Sequence, residues 1–234
     1  MTTLDRMDRG LRALHLREGQ RMAQRLFAQV LATQVIRPGR SEEEADNRIA
    51  LLAREVFGVR AGRVGRRFVR SGPNTAVGGR WPVRVIGARD LVVLDFEPLV
   101  APYETGFART VALGDDPARR GLVHDLAAVA TGARDAFRAD DHLTGRELYT
   151  EVRALAAKAG RSLGSWHCGR LTGTAPASYA EAVTRPEFFI GPDNGWPLRR
   201  TLGEGWRAHW ILQIRLVDEH RGHAAVHTEL LDLV

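Results

Sequence analysis

The chain has 234 residues, of which 44% are hydrophobic and 26% charged, and this length and composition predict a globular protein with its own core, as one domain or two small lobes. No apolar run approaches the roughly 20 residues that a membrane span needs, so we expect no membrane partner. The charged start MTTLDRMDRG has no apolar signal core, which predicts a cytoplasmic protein, and the single cysteine, Cys168, excludes an internal disulfide framework.

The net charge is +6 and the sequence pI about 10.5. Lys158 is the single lysine among 34 basic residues, so 33 are arginines. An arginine-rich surface for nucleic acid is one interpretation, because guanidinium groups bind phosphates well. The arginines form no basic tail, and no nucleic-acid-binding motif accompanies them. We therefore expect them on solvated faces and predict no nucleic-acid partner.

Apolar residues at helical spacing predict one long helix from Leu4 to about Gln34, which Pro38 and Gly39 follow. We interpret residues 1–36 as a helical extension that lies across a partner subunit or over the rest of the chain, and a homodimer is possible. Ser41 and Glu44 form a capping-box pattern for a second helix at about 42–57. Residues 37–234 are predicted to form the main domain.

The sequence LVVLDFEPLVAPYETGFARTVALG at 91–114 predicts two strands. The first is an apolar run that ends in Asp95, and the second covers about 103–113. Further helices are predicted at about 118–138 and 144–159, a glycine-rich segment at 160–173, and strands near 67–70, at 210–217 and at 227–231. This order of helices and strands predicts an α+β fold.

Several sequence blocks, in this order, resemble the pita-bread metallopeptidases: VIRPGRSEEE, VRSGPNT, LDFEP, FARTVALGDDP, IGPDN and HWILQIRLVD. That superfamily (peptidase family M24) contains aminopeptidase P, creatinase and methionine aminopeptidase, and a bacterial aminopeptidase-like group is the most similar variant. The resemblance covers about residues 37–231. It implies the pita-bread fold and a site at which two Asp, one His and two Glu hold two metal ions.

This chain departs from that ligand set at four of five positions. The first Asp falls on Asp95, but the second falls on Gly106 in the run GFART. The remaining ligands, one His and two Glu, fall on Arg170, Gln213 and Thr228. Arg215 replaces a further histidine of the family pattern. Since a guanidinium has no lone pair for a metal, we predict no metal and no other cofactor.

Asp95 keeps its family position, and Glu97 lies two residues on, on the same side of a strand. Two close carboxylates raise the pKa of one of them, which suits a general acid or base. We therefore name Asp95 and Glu97 as the candidate catalytic residues. The alternatives are that Asp95 caps a turn and that Glu97 forms an ion pair with an arginine. Glu104 is interpreted as structural.

Arg170 and Arg215 are predicted to replace the charge of the metal ions and to bind a carboxylate or phosphate of a small anionic substrate. The alternative is that both pair internally with Asp95 and Glu97. The other candidate substrate-binding residues are Gln213, His209 and Thr228. His209 is alternatively a structural histidine.

Two other groups of residues are weaker candidates. His167 and Cys168 resemble a nucleophilic pair, but neighbours on a strand point to opposite faces and no third orienting residue is identifiable. His220, His223 and His227 suggest a metal cluster, but we interpret their segment as a charged, solvated turn.

Two function classes follow. The first is a metal-independent enzyme on a repurposed peptidase scaffold, of lyase, isomerase, cyclase or hydrolase type. It would act on a small anionic metabolite, with specialised metabolism as one candidate setting. The second is a catalytically inactive pseudo-peptidase that binds a ligand or a protein. A third interpretation is a metallo-hydrolase with a remodelled site made by Asp95, Glu97 and a histidine.

Overall fold

A computed structural model describes residues 3–58, 68–77, 81–96, 106–172, 184–202, 205, 207–218 and 220–233, with side chains described from Leu11 onward except those of Val56 and Phe57. The helices α1 to α4 span Thr3–Ala32, Glu42–Phe57, Pro117–Ala139 and Gly145–Lys158. The strands β1 to β7 span Val69–Ser71, Leu91–Asp95, Ala108–Ala112, Ser162–Leu163, Gly169–Leu171, Trp210–Asp218 and His223–Leu230.

Local capping fixes the first residues of three helices. The Ser41 hydroxyl accepts a hydrogen bond from the Glu44 amide, and the Glu44 carboxylate accepts one from the Ser41 amide at 2.8 Å. Thr144 and Glu147 repeat this reciprocal pair at the start of α4. The Asp116 carboxylate accepts from two amides in the first turn of α3. Both predicted capping boxes are confirmed, since this signal lies within four consecutive residues.

The strands form one antiparallel sheet in the order β1-β2-β3-β7-β6-β4, and β5 also pairs with β6. β4 and β5 lie in the segment 160–173, for which the sequence predicted only a glycine-rich region. The last strand begins at His223 rather than at His227, because His223 pairs with Asp218 at the far end of β6. Two strands and the start of a third were therefore missed.

Helices cover one face of this sheet in two pairs. α1 and α2 form a buried apolar cluster with Val92 and Leu94 of β2. α3 and α4 form a second cluster with Leu212 and Ile214 of β6. Each fully buried side chain of this size contributes about 1.5–3 kcal/mol to stability relative to an exposed one. We call this side of the sheet the helix face.

Because side chains alternate along a strand, the residues between those apolar ones point to the opposite side, which we call the site face. Val93 of β2, Ala108 of β3 and Val226 of β7 form a buried apolar cluster there. At one edge of this face, Leu16 of α1 packs on Ile211 and Leu230. The long first helix thus contacts both α2 and the border of the site face. The division into residues 1–36 and 37–234 stays a prediction.

Within the described part of the chain, no helix is long and apolar enough to cross a lipid bilayer.

Candidate functional site

Three of the five positions that the family resemblance assigns to metal ligands lie in one row across the site face, together with Ala108. Asp95 pairs with Ala108, Ala108 with Thr228, and Thr228 with Gln213. We call these four residues the central row. Adjacent strands are about 4.8 Å apart, so the row is continuous across β2, β3, β7 and β6. Asp95 is its one carboxylate.

Gly106, the position of the second Asp, has no space for a side chain. A Cβ built on it would lie 2.4 Å from Cγ2 of Ile211 and 2.9 Å from Cγ2 of Thr228. Both distances are too short for real carbon contacts, so the space between β3, β6 and β7 is already filled by apolar atoms.

The donors of these five positions do not fit a pair of divalent metal ions. Such ions need several carboxylate, imidazole or thiolate ligands, and the described residues supply one carboxylate, one amide and one hydroxyl. No group of three or more His, Cys, Asp or Glu in the described ranges is placed to hold a metal ion. Glu97 and Glu104, the other carboxylates considered in the sequence, lie outside the described residues.

Arg170, at the position of the metal-binding histidine, is buried in β5, with 6% of its surface exposed. It pairs with Ile211 of β6, and it also forms a bridge with Phe189. Arg215 lies four residues farther along β6 than Ile211, which corresponds to about 13 Å of strand. Backbone pairing therefore does not place Arg170 beside Arg215, and their joint action stays a prediction.

Arg215 extends toward the loop after β1. Its Nη2 donates hydrogen bonds to the carbonyl oxygens of Thr75 and Ala76, at 3.0 and 2.7 Å. Burial lowers the pKa of Arg215, and the nearby positive charge of Arg70 lowers it further. The side chain is thus a partly desolvated cation whose charged neighbour carries the same sign.

Arg70 of β1 lies on the site face, because it pairs with Val93, two residues before Asp95. Its Nη2 is 3.9 Å from Oδ2 of Asp95, at the long limit of an ion pair. The guanidinium carbon lies 5.2 Å from the ring centre of Trp81, which is a cation–π distance. The sequence interpretation missed Arg70, although pairing of VRS with the Asp95 strand would have placed it on this face.

The loop that receives Arg215 is held by a buried carboxylate of α2. Glu42 accepts hydrogen bonds from the amide of Ser71, at 2.6 Å, and from Nδ2 of Asn74. Thr75 Oγ1 accepts from the amide of Ala224 in β7 at 3.0 Å. These contacts fix the 3₁₀ turn Gly72–Thr75 against the sheet, so its carbonyl groups are positioned before Arg215 binds them.

His209, predicted to bind substrate, is 6% exposed, and its Nδ1 lies 2.6 Å from Oδ2 of Asp232. The other oxygen of Asp232 accepts from the amide of Trp210 at 3.1 Å. This is the structural role that the sequence left open for His209. Contact of His209 with a substrate stays a prediction, as it does for Gln213 and Thr228.

His167 and Cys168 lack the properties of a nucleophilic pair. Cys168 is fully buried, and burial raises the pKa of its thiol, which disfavours the reactive thiolate. Burial also lowers the pKa of His167 to about 4. The His167 ring packs against Trp166 and Phe189, with ring centres 4.7 and 5.2 Å apart. Their environment is that of core residues.

The interpretation of His220, His223 and His227 as a solvated turn is wrong for two of the three. His220 is exposed, but His223 is buried in β7 and its Nε2 lies 3.1 Å from Arg119. His227 lies in the same strand, and burial lowers its pKa. The sequence interpretation gave weight to the charged residues around these histidines and missed the buried strand β7.

Glu229, next to Thr228, belongs to a buried ion cluster on the helix face. Its carboxylate lies 2.6 Å from Arg109, 3.3 Å from Arg134 of α3 and 3.0 Å from His227. Burial would raise the pKa of Glu229, but the bond and charge of His227 and the two arginine charges lower it to about 2. Arg109 also donates to the Thr228 carbonyl at 2.7 Å, which ties this cluster to the central row.

The sequence profile of metallopeptidase family M24 matches residues 15–184. A comparison with curated protein sequences gives no significant match.

The fold is similar to several solved structures. An X-Pro aminopeptidase from Thermotoga maritima MSB8 has a TM-score of 0.71 at 18% identity, over 97% of this chain and 60% of its own. A dipeptidase from Pyrococcus horikoshii OT3 has a TM-score of 0.69 at 20% identity, over 94% and 56%. Methionine aminopeptidase from Rickettsia prowazekii has a TM-score of 0.64 at 11% identity, over 98% and 92%.

The chain thus spans between half and two thirds of the length of the first two of these proteins. At these identities the similarity establishes the fold, and it confirms the predicted α+β pita-bread architecture. Together with the profile match over most of the sequence, it shows that the chain belongs to metallopeptidase family M24.

Proposed function

We propose that this protein is a metal-independent enzyme on the M24 scaffold that acts on a small anionic metabolite at the site face. The observation that carries the proposal is the content of the central row, in which Asp95 is the one carboxylate and Ala108, Thr228 and Gln213 are uncharged. Arginines approach the same face from β1, β5 and β6. A site built for cations has been replaced by one that favours anions.

Charge replacement gives Arg215 its role. Two divalent ions would supply positive potential to a bound substrate, and a fixed guanidinium supplies it without metal ligands. The carbonyl groups of Thr75 and Ala76 hold the Arg215 guanidinium in a set direction, and in this proposal its other N–H groups bind the ligand. Arg170, predicted to share this role, is more deeply buried and would act from the far end of the row.

Asp95 would transfer the proton. Its side chain is 25% exposed at the end of β2, and Arg70 lies 3.9 Å away. A carboxylate between solvent and buried strands can remove a proton from a substrate and return it at another atom. Such a proton transfer completes an isomerase reaction and is one step of lyase, cyclase and hydrolase reactions. Glu97 stays a second candidate from the sequence.

The competing proposal is a pseudo-peptidase that binds a small molecule or a protein without turnover. It is favoured by the filled space at Gly106, because Ile211 and Thr228 remove part of the volume that a reacting substrate would use. In this case Asp95 and the arginines would bind a ligand, and no step would depend on proton transfer.

Ligand screening followed by turnover assays tests the proposal. Small carboxylic and phosphoric acids are screened by thermal shift in the presence of EDTA, and acids that stabilise the protein are assayed for conversion by NMR. We expect Asp95→Asn to keep binding but to lose about 10²–10⁴-fold in turnover. Arg153→Gln, at an exposed arginine of α4, is the matched control.

Binding without conversion by the parent protein would favour the pseudo-peptidase. Conversion that EDTA abolishes and added metal restores would contradict metal independence.

A further inference from the structure

A second row of residues runs across the site face beside the central row. Arg70 pairs with Val93, Val93 with Thr110, and Val226 with Arg215. The Thr110 hydroxyl of β3 connects the part on β1–β3 to the part on β7 and β6. It donates to the Val226 carbonyl at 3.0 Å and accepts from the Val226 amide at 2.7 Å. This row, which we call the arginine row, therefore crosses five strands and carries an arginine at each end.

The middle of the arginine row is buried, with one valine on each side of Thr110. Val93 and Val226 belong to one buried apolar cluster with Ala108, and Val226 is 5% exposed. The Arg215 side chain extends back toward β1, because it donates to the carbonyl groups of Thr75 and Ala76, which follow Arg70 by five and six residues. Consistent with this direction, burial lowers the pKa of Arg215 and the positive charge of Arg70 lowers it further. Two like charges above an apolar floor destabilise each other unless an anion lies between them.

Neither arginine is fully neutralised within the described residues. Arg70 has the Asp95 carboxylate at 3.9 Å, a distance that leaves room for a shorter contact. Arg215 donates to two carbonyl groups, and no described carboxylate lies within ion-pair distance of it. The contacts with Trp81 and with the Thr75–Ala76 carbonyls orient the two guanidinium groups without removing their charge.

We infer that Arg70 and Arg215 together bind one anionic oxygen group, a carboxylate or a phosphate, above Val93 and Val226. This inference rests on the proposed function, because it names the group of the substrate that the site face would hold and adds Arg70 to the residues that hold it. The guanidinium groups offer planar N–H donors to two oxygens of the same group.

This arrangement also places the substrate relative to Asp95. Asp95 lies two residues beyond Val93 on β2, so its Cα lies about 6.6 Å along the strand from the floor of the anion site. An atom one or two bonds from the anionic group would then lie near the carboxylate. The ligand class is therefore a small acid whose reactive or hydrogen-bonding atom lies close to its carboxylate or phosphate.

Calorimetric titration with inorganic phosphate and with succinate, at constant ionic strength, tests the inference. We expect saturable binding of at least one probe by the parent protein, with the tighter one identifying the preferred group. Arg70→Gln and Arg215→Gln should each weaken it by roughly ten- to a hundredfold, as expected for loss of one charged bidentate contact. Arg70→Lys should recover part of the affinity, and Arg153→Gln should change nothing.

Absence of saturable binding of both probes would overturn the inference, as would binding that Arg70→Gln leaves unchanged in a folded protein. Circular dichroism and thermal unfolding establish folding of each variant. If both arginine variants lose binding but no acid is ever converted, the anion site stands and the proposed enzymatic function fails. If conversion depends on Asp95 while Arg70→Gln binds normally, the function stands and the anion pair fails.

Discussion

Ile211 occupies the space that a side chain on Gly106 would need: its Cγ2 would lie 2.4 Å from a Cβ built there. The two residues belong to different segments, one before β3 and one in β6, and their contact closes the position at which the family pattern has its second Asp. At this position the absence of a carboxylate coincides with a space that apolar atoms already fill. The site at Gly106 therefore differs from the family pattern in its packing as well as in its lack of a donor group.

Substitution of Gly106 should destabilise the protein. We expect Gly106→Ala to lower the free energy of unfolding by about 1–3 kcal/mol, because Ile211 and Thr228 must move to admit a methyl group. Gly106→Asp should cost more, since its carboxylate would also be desolvated. Urea denaturation measures both. Gly195→Ala, where the nearest atom is the end of the Arg146 side chain at 3.9 Å, is the control. Equal stability of Gly106→Ala and the parent would refute the packing argument.

Gly164 should control the position of Arg215. A Cβ on Gly164 would lie 2.6 Å from Val217 and 3.0 Å from both Cδ and Nε of Arg215. We therefore expect Gly164→Ala to displace the guanidinium and to weaken binding of phosphate or succinate by about tenfold, as loss of a charged contact does. Calorimetric titration measures the change, again with Gly195→Ala as the control. Unchanged affinity would mean that Arg215 does not contact the anion.

His167 should make stability depend on pH. Its pKa is about 4 in the folded protein, whereas an unfolded chain binds the proton near pH 6.5. The unfolded state therefore takes up a proton first, and stability falls as the pH is lowered from 6.5 to 4, by up to about 3 kcal/mol. His167→Phe keeps the aromatic packing and should flatten this part of the profile in urea denaturation. His124→Gln, at a side chain that is 85% exposed, should leave it unchanged. A parent profile without this slope would contradict the burial of a neutral imidazole.

Helix starts and strands could be predicted from the sequence where the interacting residues lie close together in the chain. Ser41 with Glu44 and Thr144 with Glu147 each act within one helical turn, so both helix starts were predicted. The strand before Asp95 was predicted because its apolar run is continuous. β4 and β5 have two and three residues, which is too few for a periodic sequence pattern. They form by pairing with the edge of β6, which is distant in the sequence.

The site was less predictable because its residues are far apart in the sequence and are brought together by the pairing of strands. Asp95 could be named from its own segment, but the row that joins Arg70 to Arg215 depends on the pairing of five strands. Arg170 and Arg215 seemed equivalent in sequence, whereas strand pairing sets them four residues apart along β6. His209 and Asp232 meet only because β7 brings the end of the chain back beside β6.

Glu229 should be the most important charged group for stability. We expect Glu229→Gln to cost about 3–5 kcal/mol, because it leaves Arg109 and Arg134 buried without their counter-ion. Asp125→Asn, which removes a partly exposed partner of Arg161 on α3, should cost at most about 1 kcal/mol. Urea denaturation at neutral pH compares the two variants. Similar decreases in the free energy of unfolding for both variants would contradict a larger contribution from the Glu229 cluster.

The central claim, that this M24 scaffold works without metal ions, is tested most directly by elemental analysis. The protein is purified after growth with added manganese, cobalt and zinc, and its metal content is measured beside that of Asp95→Ala. We predict far less than about one ion per chain in both, because a single carboxylate with Thr228 and Gln213 is too poor a donor set. About one or more tightly held ions per chain in the parent, lost in Asp95→Ala, would contradict the claim.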